Sequence, residues 1–373
     1  MYLDGTYCQR SVTGLSRYSR CLIKALDENW SKLGKEHSAT VFGFRTHGRV
    51  TVVTESFPVE YVNYDMRMHL YLNGLLGIPN LVNFLKGPCD VVHFHDVFRF
   101  SGDVSKIQSV VTVHDLASVT TGYYSFRSRW LKSRALRRLK ESSARIITVS
   151  EFTRRELMEV SGINPSRVTS IPLGIDGRIF EKPRNLVGEL CQKHQPYVLF
   201  VGGCHPRKNV AGILRSMNIW GEDTDAALIL AGPGLKNKVS EMKAFQTLSS
   251  KFRDRVKFAQ SVSDGSLGEL YRNAICLLFP SYHEGFGLPV AEAMCCGCPV
   301  ICSNRGALPE VAGDAAIIVD PDDQEAMAHA VMRILSDASL RENLSRCGLE
   351  RSKLYSWNRV AEQVAQVYLE KVA

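Results

Sequence analysis

The 373-residue chain is longer than one hydrophobic core usually supports, and its length is typical of two domains. Its hydrophobic fraction of 45% and charged fraction of 23% are those of an ordinary soluble globular protein. Its apolar runs, such as "YVLFVGG" and "AICLLFP", are long enough for a strand and far too short for a membrane span. The first residues, "MYLDGTYCQR", contain no apolar segment of a secretory signal, so we expect a cytoplasmic protein.

Short apolar runs alternate with helix-like stretches along the first half of the chain. The predicted strands are "ATVFGF", "DVVHFH", "SVVTVHD", "ARIITVS" and "VTSIPLG". The predicted helices are "GLSRYSRCLIKAL", a basic segment, and "SEFTRRELMEVSG", for which Ser150 is the expected cap. This alternation predicts a parallel sheet with helices on both faces.

The basic segment holds eight cations and one acid between Phe126 and Arg145. Its apolar residues recur at near-helical spacing, and they are Trp130, Leu131, Ala135, Leu136 and Leu139. Two interpretations stay open. The helix is solvated and packs its apolar stripe on the protein, or it docks on anionic lipid or a phosphate-bearing acceptor. Nucleic acid is not an expected partner, because no aromatic-basic interleaving or recognised motif accompanies the charge.

A polar, aperiodic stretch at 178–195 predicts a linker, and a second strand-helix series follows it. The predicted fold is therefore α/β, with two Rossmann-like domains at 1–177 and 196–356 that face each other across a central cleft. Ligands bind at the carboxyl ends of the strands in such folds. The segment 357–373 predicts a helix that packs back on the first domain; its apolar face comprises Val360, Ala361, Val364, Val367 and Tyr368.

Two acids flank a glycine-rich turn in "SYHEGFGLPVAEAM". Pro289 suits the first turn of a helix, while Gly285 and Gly287 allow positive φ and close approach to a ligand. The free N–H groups of such a turn suit an anion or sugar hydroxyls. We expect Glu284 at the turn to meet a polyhydroxylated group. Glu292, expected near the first helical turn, would bind a neutral diol such as ribose.

Another strand-to-turn segment, "YVLFVGGCHPRKN", ends in two adjacent cations, Arg207 and Lys208. Gly202 and Gly203 do not form a GxGxxG pattern, so a dinucleotide site is not indicated. Two cations at the end of a strand can stabilise a diphosphate leaving group without a metal ion. His114 ends the predicted strand "VVTVHDL", where it could bind a sugar hydroxyl or accept a proton.

No metal site is predicted. Cys295 and Cys298 form one CxxC spacing among eleven scattered cysteines, but no second ligand pair follows. His93 and His95 of "HFH" are expected to be structural or to line the cleft. The DxD patterns at Asp223–Asp225 and Asp320–Asp322 are short enough to arise by chance.

With these motifs, the sequence resembles the retaining GT-B glycosyltransferases of family 4, the glycosyl transferases group 1 set. The resemblance covers almost the whole chain, although the start at "MYLDG" leaves a shorter first strand than is usual. It is carried by "TGLSRY", "VTVHDL", "ITVSEFTRREL", "IPLGID", "VGGCHPRKN", "LAGPG", "SYHEGFGLPVAEAMCCGCPVI", "LPEVAGDAA" and "SWNRVAEQ".

The resemblance implies roles for the candidate residues. Arg207 and Lys208 would hold the donor diphosphate, Glu284 would meet the donor sugar, and His114 would lie beside the transferring sugar. The implied donor-binding set also includes Gly14, which approaches phosphate, Gly203, Phe286, Gly287, Leu288 and the ribose ligand Glu292.

The implied reaction transfers a sugar from a nucleotide diphosphate sugar with retention, with no cofactor and no metal. "HEGFGLP" with "PRKN" is most similar to mannosyltransferases of polysaccharide or O-antigen assembly, which suggests GDP-mannose and a glycan or lipid-linked acceptor. A UDP-sugar donor stays open. So do a sugar-nucleotide epimerase or hydrolase, and a non-catalytic partner subunit that keeps the fold.

Overall fold

The computed structural model describes residues 1–9, 14–30, 38–44, 54, 56–62, 85, 88–100, 102–103, 107–177, 193–260 and 262–370. The chain divides into two compact units. The first comprises Met1–Gly174 with Ser356–Ala373, and the second comprises Ile175–Tyr355. The predicted linker lies outside the described residues, apart from 193–195.

The first unit contains, within its described residues, a seven-stranded sheet in the order β3-β2-β1-β4-β5-β6-β7. Every pair of neighbouring strands in it is parallel. The strands are β1 Tyr2–Asp4, β2 Thr40–Phe44, β3 Val59–Val62, β4 Val91–Phe94, β5 Gln108–Val113, β6 Arg145–Thr148 and β7 Val168–Ser170. The strand order reverses between β1 and β4, which is where ligands bind in sheets of this kind.

The second unit repeats this plan with a six-stranded parallel sheet among its described residues, in the order β10-β9-β8-β11-β12-β13. The strands are β8 Tyr197–Val201, β9 Ala227–Ala231, β10 Val256–Ala259, β11 Cys276–Phe279, β12 Val300–Ser303 and β13 Ala316–Val319. Here the order reverses between β8 and β11. The loops that follow these two strands are therefore neighbours, although they are far apart in sequence.

Helices connect the strands in both units, as the alternating pattern predicts. In chain order they are α1 Gly14–Asn29, α2 Ala117–Thr120, α3 Phe126–Glu141, α4 Glu151–Ser161, α5 Val210–Trp220, α6 Leu235–Ser240, α7 Lys243–Gln246, α8 Ser250–Arg255, α9 Asp264–Asn273, α10 Leu288–Cys295, α11 Leu308–Ala312, α12 Gln324–Ser336, α13 Ala338–Ser352 and α14 Trp357–Leu369. Ser150 caps α4 by accepting a hydrogen bond from the backbone N–H of Thr153 at 3.0 Å.

The C-terminal helix α14 belongs to the first unit. Its buried face carries the five residues named from the sequence: Val360, Ala361, Val364, Val367 and Tyr368. The Tyr368 hydroxyl lies 2.7 Å from Nδ1 of His93, whose Nε2 lies 2.8 Å from the Thr112 hydroxyl. Burial holds the pKa of His93 well below its ordinary value, so the ring is neutral and structural.

Helix α3 differs in part from its predicted packing. Ala135, Leu136 and Leu139 are buried, but Trp130 is 37% exposed and does not join the core stripe. Lys132 turns inward instead, with Nζ 4.0 Å from Oδ1 of Asp96. The helical spacing of the apolar residues predicted this helix. The face that is buried is narrower than the predicted apolar stripe.

We expect Tyr368→Phe to lower the free energy of unfolding by about 1 to 3 kcal/mol, because it leaves a buried nitrogen of His93 without its hydroxyl partner. Urea unfolding followed by circular dichroism measures this. Tyr123→Phe makes the same chemical change at a tyrosine that is 39% exposed, so water can replace the lost hydroxyl and the effect should be much smaller. Equal stability of the two variants would contradict a structural role for the His93–Tyr368 contact.

Candidate active site

The loop after β8 presents two cations from a rigid turn. Pro206–Lys208 forms a single 3₁₀ turn, and the His205 side chain accepts a hydrogen bond from the Arg207 backbone N–H at 3.3 Å. Asn209 follows with φ 55° and caps α5 by accepting from the Gly212 N–H at 3.1 Å. The backbone that carries Arg207 and Lys208 is thus fixed at both ends.

The loop after β11 places a buried carboxylate directly between these cations. Glu284 Oε2 lies 3.0 Å from Nη1 of Arg207, and its Oε1 lies 2.5 Å from Nζ of Lys208. Nη1 of Arg207 also donates to the carbonyl of His283 at 2.6 Å. The Glu284 side chain is only 8% exposed, and those of Arg207 and Lys208 are 16% and 13% exposed. The three sequence candidates therefore form one compact ionic cluster.

The electrostatics of this cluster keep the carboxylate charged. Burial alone would raise the pKa of Glu284, but the charges of Lys208 and Arg207 and their hydrogen bonds lower it to about 2. The Lys208 ammonium also lies 4.9 Å from the centre of the Phe279 ring, a favourable cation–π distance. At neutral pH the cluster consists of two cations and one anion, so it carries a net positive charge suited to a diphosphate.

Two glycines allow the backbone to take this shape. Gly287 has φ 99° at the start of α10, and a Cβ there would overlap the Leu308 side chain. Gly306 has φ 66°, and a Cβ there would lie 2.8 Å from both N and O of Glu284. Sequence reasoning named Gly287 from its motif but missed Gly306, whose only sequence signal is its place after strand β12.

Tyr282 is another residue that sequence reasoning missed. Its backbone N–H donates to the carbonyl of Arg207 at 2.7 Å, and its hydroxyl donates to Oδ1 of Asp322 at 2.8 Å. Asp320 in the same loop accepts hydrogen bonds from Arg305 and Asn304. This DxD pair thus serves as a support for the loop that carries Glu284. Among the described residues, no group of three or more potential ligands is arranged to hold a metal ion.

Glu292 is the fifth residue of α10, directly after the first turn, which agrees with its predicted place near the first turn. It is 3% exposed, and its Oε2 accepts a hydrogen bond from the Tyr271 hydroxyl at 3.0 Å. Phe286 is also buried and packs edge-on against Tyr355, with 5.4 Å between ring centres. Leu288, the first residue of α10, is half-buried. The ribose-binding role of Glu292 stays a prediction.

The two glycines after β8 differ in their surroundings. Gly202 donates its N–H to the carbonyl of Ala231 at 2.9 Å, which joins the start of the loop after β8 to the last residue of β9. A Cβ built at Gly203 would meet no atom within 4 Å. Gly203 therefore lies beside open space on the same loop as the two cations, which is compatible with its predicted place in the donor site.

The remaining candidates belong to the first unit. His114 follows β5 and donates from Nε2 to the carbonyl of His95 at 2.9 Å, which leaves Nδ1 as the ring's acceptor nitrogen. Burial lowers the pKa of His114, so the ring is neutral at pH 7. His95 is buried with Nδ1 2.9 Å from the Ser19 hydroxyl. Gly14 is the exposed first residue of α1.

Comparisons with known proteins follow the division into two units. The family model "Glycosyltransferase Family 4" matches residues 12–177, and the model "Glycosyl transferases group 1" matches residues 183–351. The chain is 31% identical to O-antigen chain mannosyltransferase B of Escherichia coli over 268 residues, which cover 70% of each protein.

Solved structures share the fold over nearly the full length. Sucrose-phosphate synthase from Thermosynechococcus elongatus superposes with a TM-score of 0.73 at 22% identity, and covers 99% of this chain and 98% of that one. WaaG, a glycosyltransferase involved in lipopolysaccharide biosynthesis, superposes with a TM-score of 0.70 at 16% identity over all of both chains. These matches show that the two Rossmann-like units have the GT-B fold.

The lowered pKa of Glu284 predicts a pH-dependent stability. Because about 2 is below the ordinary value of 4.5, the cluster stabilises the folded state fully above pH 4.5 and progressively less as the pH falls toward 2. Glu284→Gln should cost about 3 to 5 kcal/mol at pH 7, since it leaves two cations uncompensated. Urea unfolding should show this cost shrinking by about 1 kcal/mol between pH 5.5 and 3.5.

The matched control is Glu342→Gln. Glu342 is an exposed acid near the amino ends of β8 and β11, whereas Glu284 follows the carboxyl end of β11. Its unfolding free energy should follow that of the wild type at every pH. A stability difference between wild type and Glu284→Gln that stays constant down to pH 3.5 would contradict the ionised cluster.

Proposed function

We propose, since this chain belongs to glycosyltransferase family 4, that it is a retaining enzyme that transfers mannose from GDP-mannose to a glycan or lipid-linked acceptor. The observation that carries this proposal is the buried cluster of Glu284 with Arg207 and Lys208. It lies where the strand order of the second sheet reverses, which is the usual ligand position in open α/β sheets.

The chemistry of transfer fits the charges of this cluster. When the bond between the anomeric carbon and the diphosphate oxygen breaks, negative charge builds on the leaving group. Arg207 and Lys208 are held in place before the reaction, so they can stabilise that charge without moving and without a metal ion. The acceptor oxygen forms the new bond to the anomeric carbon, and its proton passes to an oxygen of the leaving phosphate.

Mannose and a polysaccharide acceptor are supported by sequence similarity. The Escherichia coli relative is named as an O-antigen chain mannosyltransferase, and the similarity extends over 70% of both proteins. The motif "HEGFGLP" holds Glu284, the residue proposed to meet the donor sugar. Glu292 is proposed to bind the ribose and His114 to lie beside the transferring sugar.

The first test measures sugar transfer by wild type and Lys208→Ala. We expect Lys208→Ala to fold and to lose about a hundredfold or more in kcat, because the lost charge acts on the transition state. Lys251→Ala removes an exposed lysine of α8, which precedes the edge strand β10, and should keep normal turnover. Near-normal turnover of Lys208→Ala would contradict the proposed site.

The donor is identified by thermal shifts with GDP-, UDP- and ADP-sugars, because a ligand that binds only the folded state raises its stability. GDP-mannose should give the largest shift, and a larger shift with a UDP-sugar would favour the alternative donor. Product analysis with donor alone separates transfer from epimerase or hydrolase chemistry, which need no acceptor. Binding without turnover on any lipid-linked acceptor would favour a non-catalytic subunit.

We also propose that the exposed face of α3 contacts anionic lipid at the membrane surface. Phe126 is 81% exposed, and Trp130 shares this face. The guanidinium of Arg134 lies over the Trp130 ring, 4.9 Å from the ring centre. Four further exposed cations of the helix are Arg127, Arg129, Arg137 and Lys140. Exposed aromatic and basic residues on one helix are typical of interfacial binding. None of the described helices is both long and apolar enough to span a bilayer.

Vesicle sedimentation tests this surface. Reversing two charges with Arg129→Glu and Arg137→Glu should weaken binding to phosphatidylserine vesicles by at least about tenfold, since each basic residue near such a surface contributes about 1 kcal/mol. Phe126→Ser should also weaken binding, whereas Val160→Ser, at a 42% exposed valine of α4, should not. Equal binding of wild type to neutral phosphatidylcholine vesicles would contradict the electrostatic contribution.

A further inference from the structure

The cations proposed to hold the donor diphosphate are both already paired. Oxygen atoms of one carboxylate, that of Glu284, lie 3.0 Å from Arg207 and 2.5 Å from Lys208. A carboxylate offers cations the same kind of acceptor as a phosphate oxygen. The residue proposed to meet the donor sugar therefore occupies, in this structure, the position on the cations that a diphosphate would take.

We propose that Glu284 acts as a latch: its carboxylate pairs with Arg207 and Lys208 until the donor displaces it. The diphosphate takes the place of the Glu284 carboxylate on Arg207 and Lys208, and the released carboxylate accepts hydrogen bonds from hydroxyls of the donor sugar. This inference rests on the proposed function, because it assigns a second role to a residue of the same site.

The structure restricts the exchange to a side-chain movement. The Glu284 backbone is held by Ala307, whose N–H donates to the Glu284 carbonyl at 3.0 Å, and by the close approach of Gly306. The cations stay in place because their turn is fixed by the caps at His205 and Asn209. Since the backbone on both sides is fixed, rotation about the Glu284 side-chain bonds is the movement that can separate the charges.

The latch has a consequence for substrate and product. Without a ligand, the carboxylate compensates two half-buried cations that would otherwise destabilise the fold. A complete donor supplies both a diphosphate for the cations and hydroxyls for the carboxylate. A nucleoside diphosphate alone supplies only the first, so Glu284 is left buried with fewer partners. The enzyme should therefore bind the donor more tightly than the nucleotide product, which favours product release.

Calorimetric titration of GDP and GDP-mannose into wild type and Glu284→Gln tests this latch. The uncharged glutamine no longer competes for the cations, so the Kd of GDP should fall by at least about tenfold. The Kd of GDP-mannose should fall much less or rise, because the sugar loses its charged partner. The ratio of the GDP Kd to the GDP-mannose Kd should thus become smaller than in the wild type. Glu342→Gln should match the wild type for both ligands.

Each other outcome has a distinct meaning. Weaker binding of both ligands to Glu284→Gln would show that the carboxylate orients the cations, and equal tightening of both would show simple charge repulsion; either result overturns the latch. If Glu284→Gln does not fold, Glu284→Asp keeps the charge but is one methylene shorter, and it should shift the GDP preference in the same direction. Wild-type protein that binds neither these ligands nor UDP and UDP-glucose would overturn the proposed function itself.

Discussion

One buried carboxylate between two cations determines the arrangement of the second unit's site. Glu284, Arg207 and Lys208 come from loops after β11 and β8, which are adjacent only because the sheet reverses its order between these strands. Each charge would be costly to bury alone, and the three compensate one another. The ionic contacts therefore hold two loops together at the position where ligands bind in such sheets.

Backbone geometry supports this cluster more than side-chain packing does. Gly306 passes so close to the Glu284 backbone that no larger residue would fit, while Asn209 and Gly287 turn the chain into α5 and α10 with positive φ. Tyr282 links the Glu284 loop to the Arg207 carbonyl and to Asp322. These contacts fix the loops, so the exchange proposed for Glu284 is left to rotation of its side chain.

Local patterns in the sequence predicted much of this arrangement. The alternation of strands and helices predicted parallel sheets, and the glycines and proline of "HEGFGLP" predicted the start of α10. The contact between Glu284 and Lys208 could not be predicted in the same way, because it joins residues 76 positions apart and depends on strand order. Gly306 and Tyr282 were missed for the same reason, since their importance lies in tertiary contacts.

In the first unit, tertiary packing decides which side chains of a helix are buried. Trp130 and Lys132 both lie on α3, yet the tryptophan is exposed and the lysine is buried near Asp96, with its ammonium 4.7 Å from the Phe98 ring centre. His93 likewise has its partner, Tyr368, 275 positions away on the C-terminal helix. Neither the spacing nor the types of residues within one segment show which side chains are buried or which distant residues they contact.

The protonation states of the candidate residues favour the proposed route for the acceptor's proton. A general base works best when its pKa is near the working pH. The pKa of Glu284 is about 2 while Arg207 and Lys208 pair with it, and in the proposed donor complex its carboxylate accepts hydrogen bonds from the donor sugar, so it is not the expected base in either state. Burial also lowers the pKa of His114, which weakens it as a base. A terminal phosphate, whose second pKa is near 6, is better matched to the task. In the proposed same-face transfer, Arg207 and Lys208 therefore stabilise the charge of the leaving diphosphate, and an oxygen of that diphosphate takes the acceptor's proton.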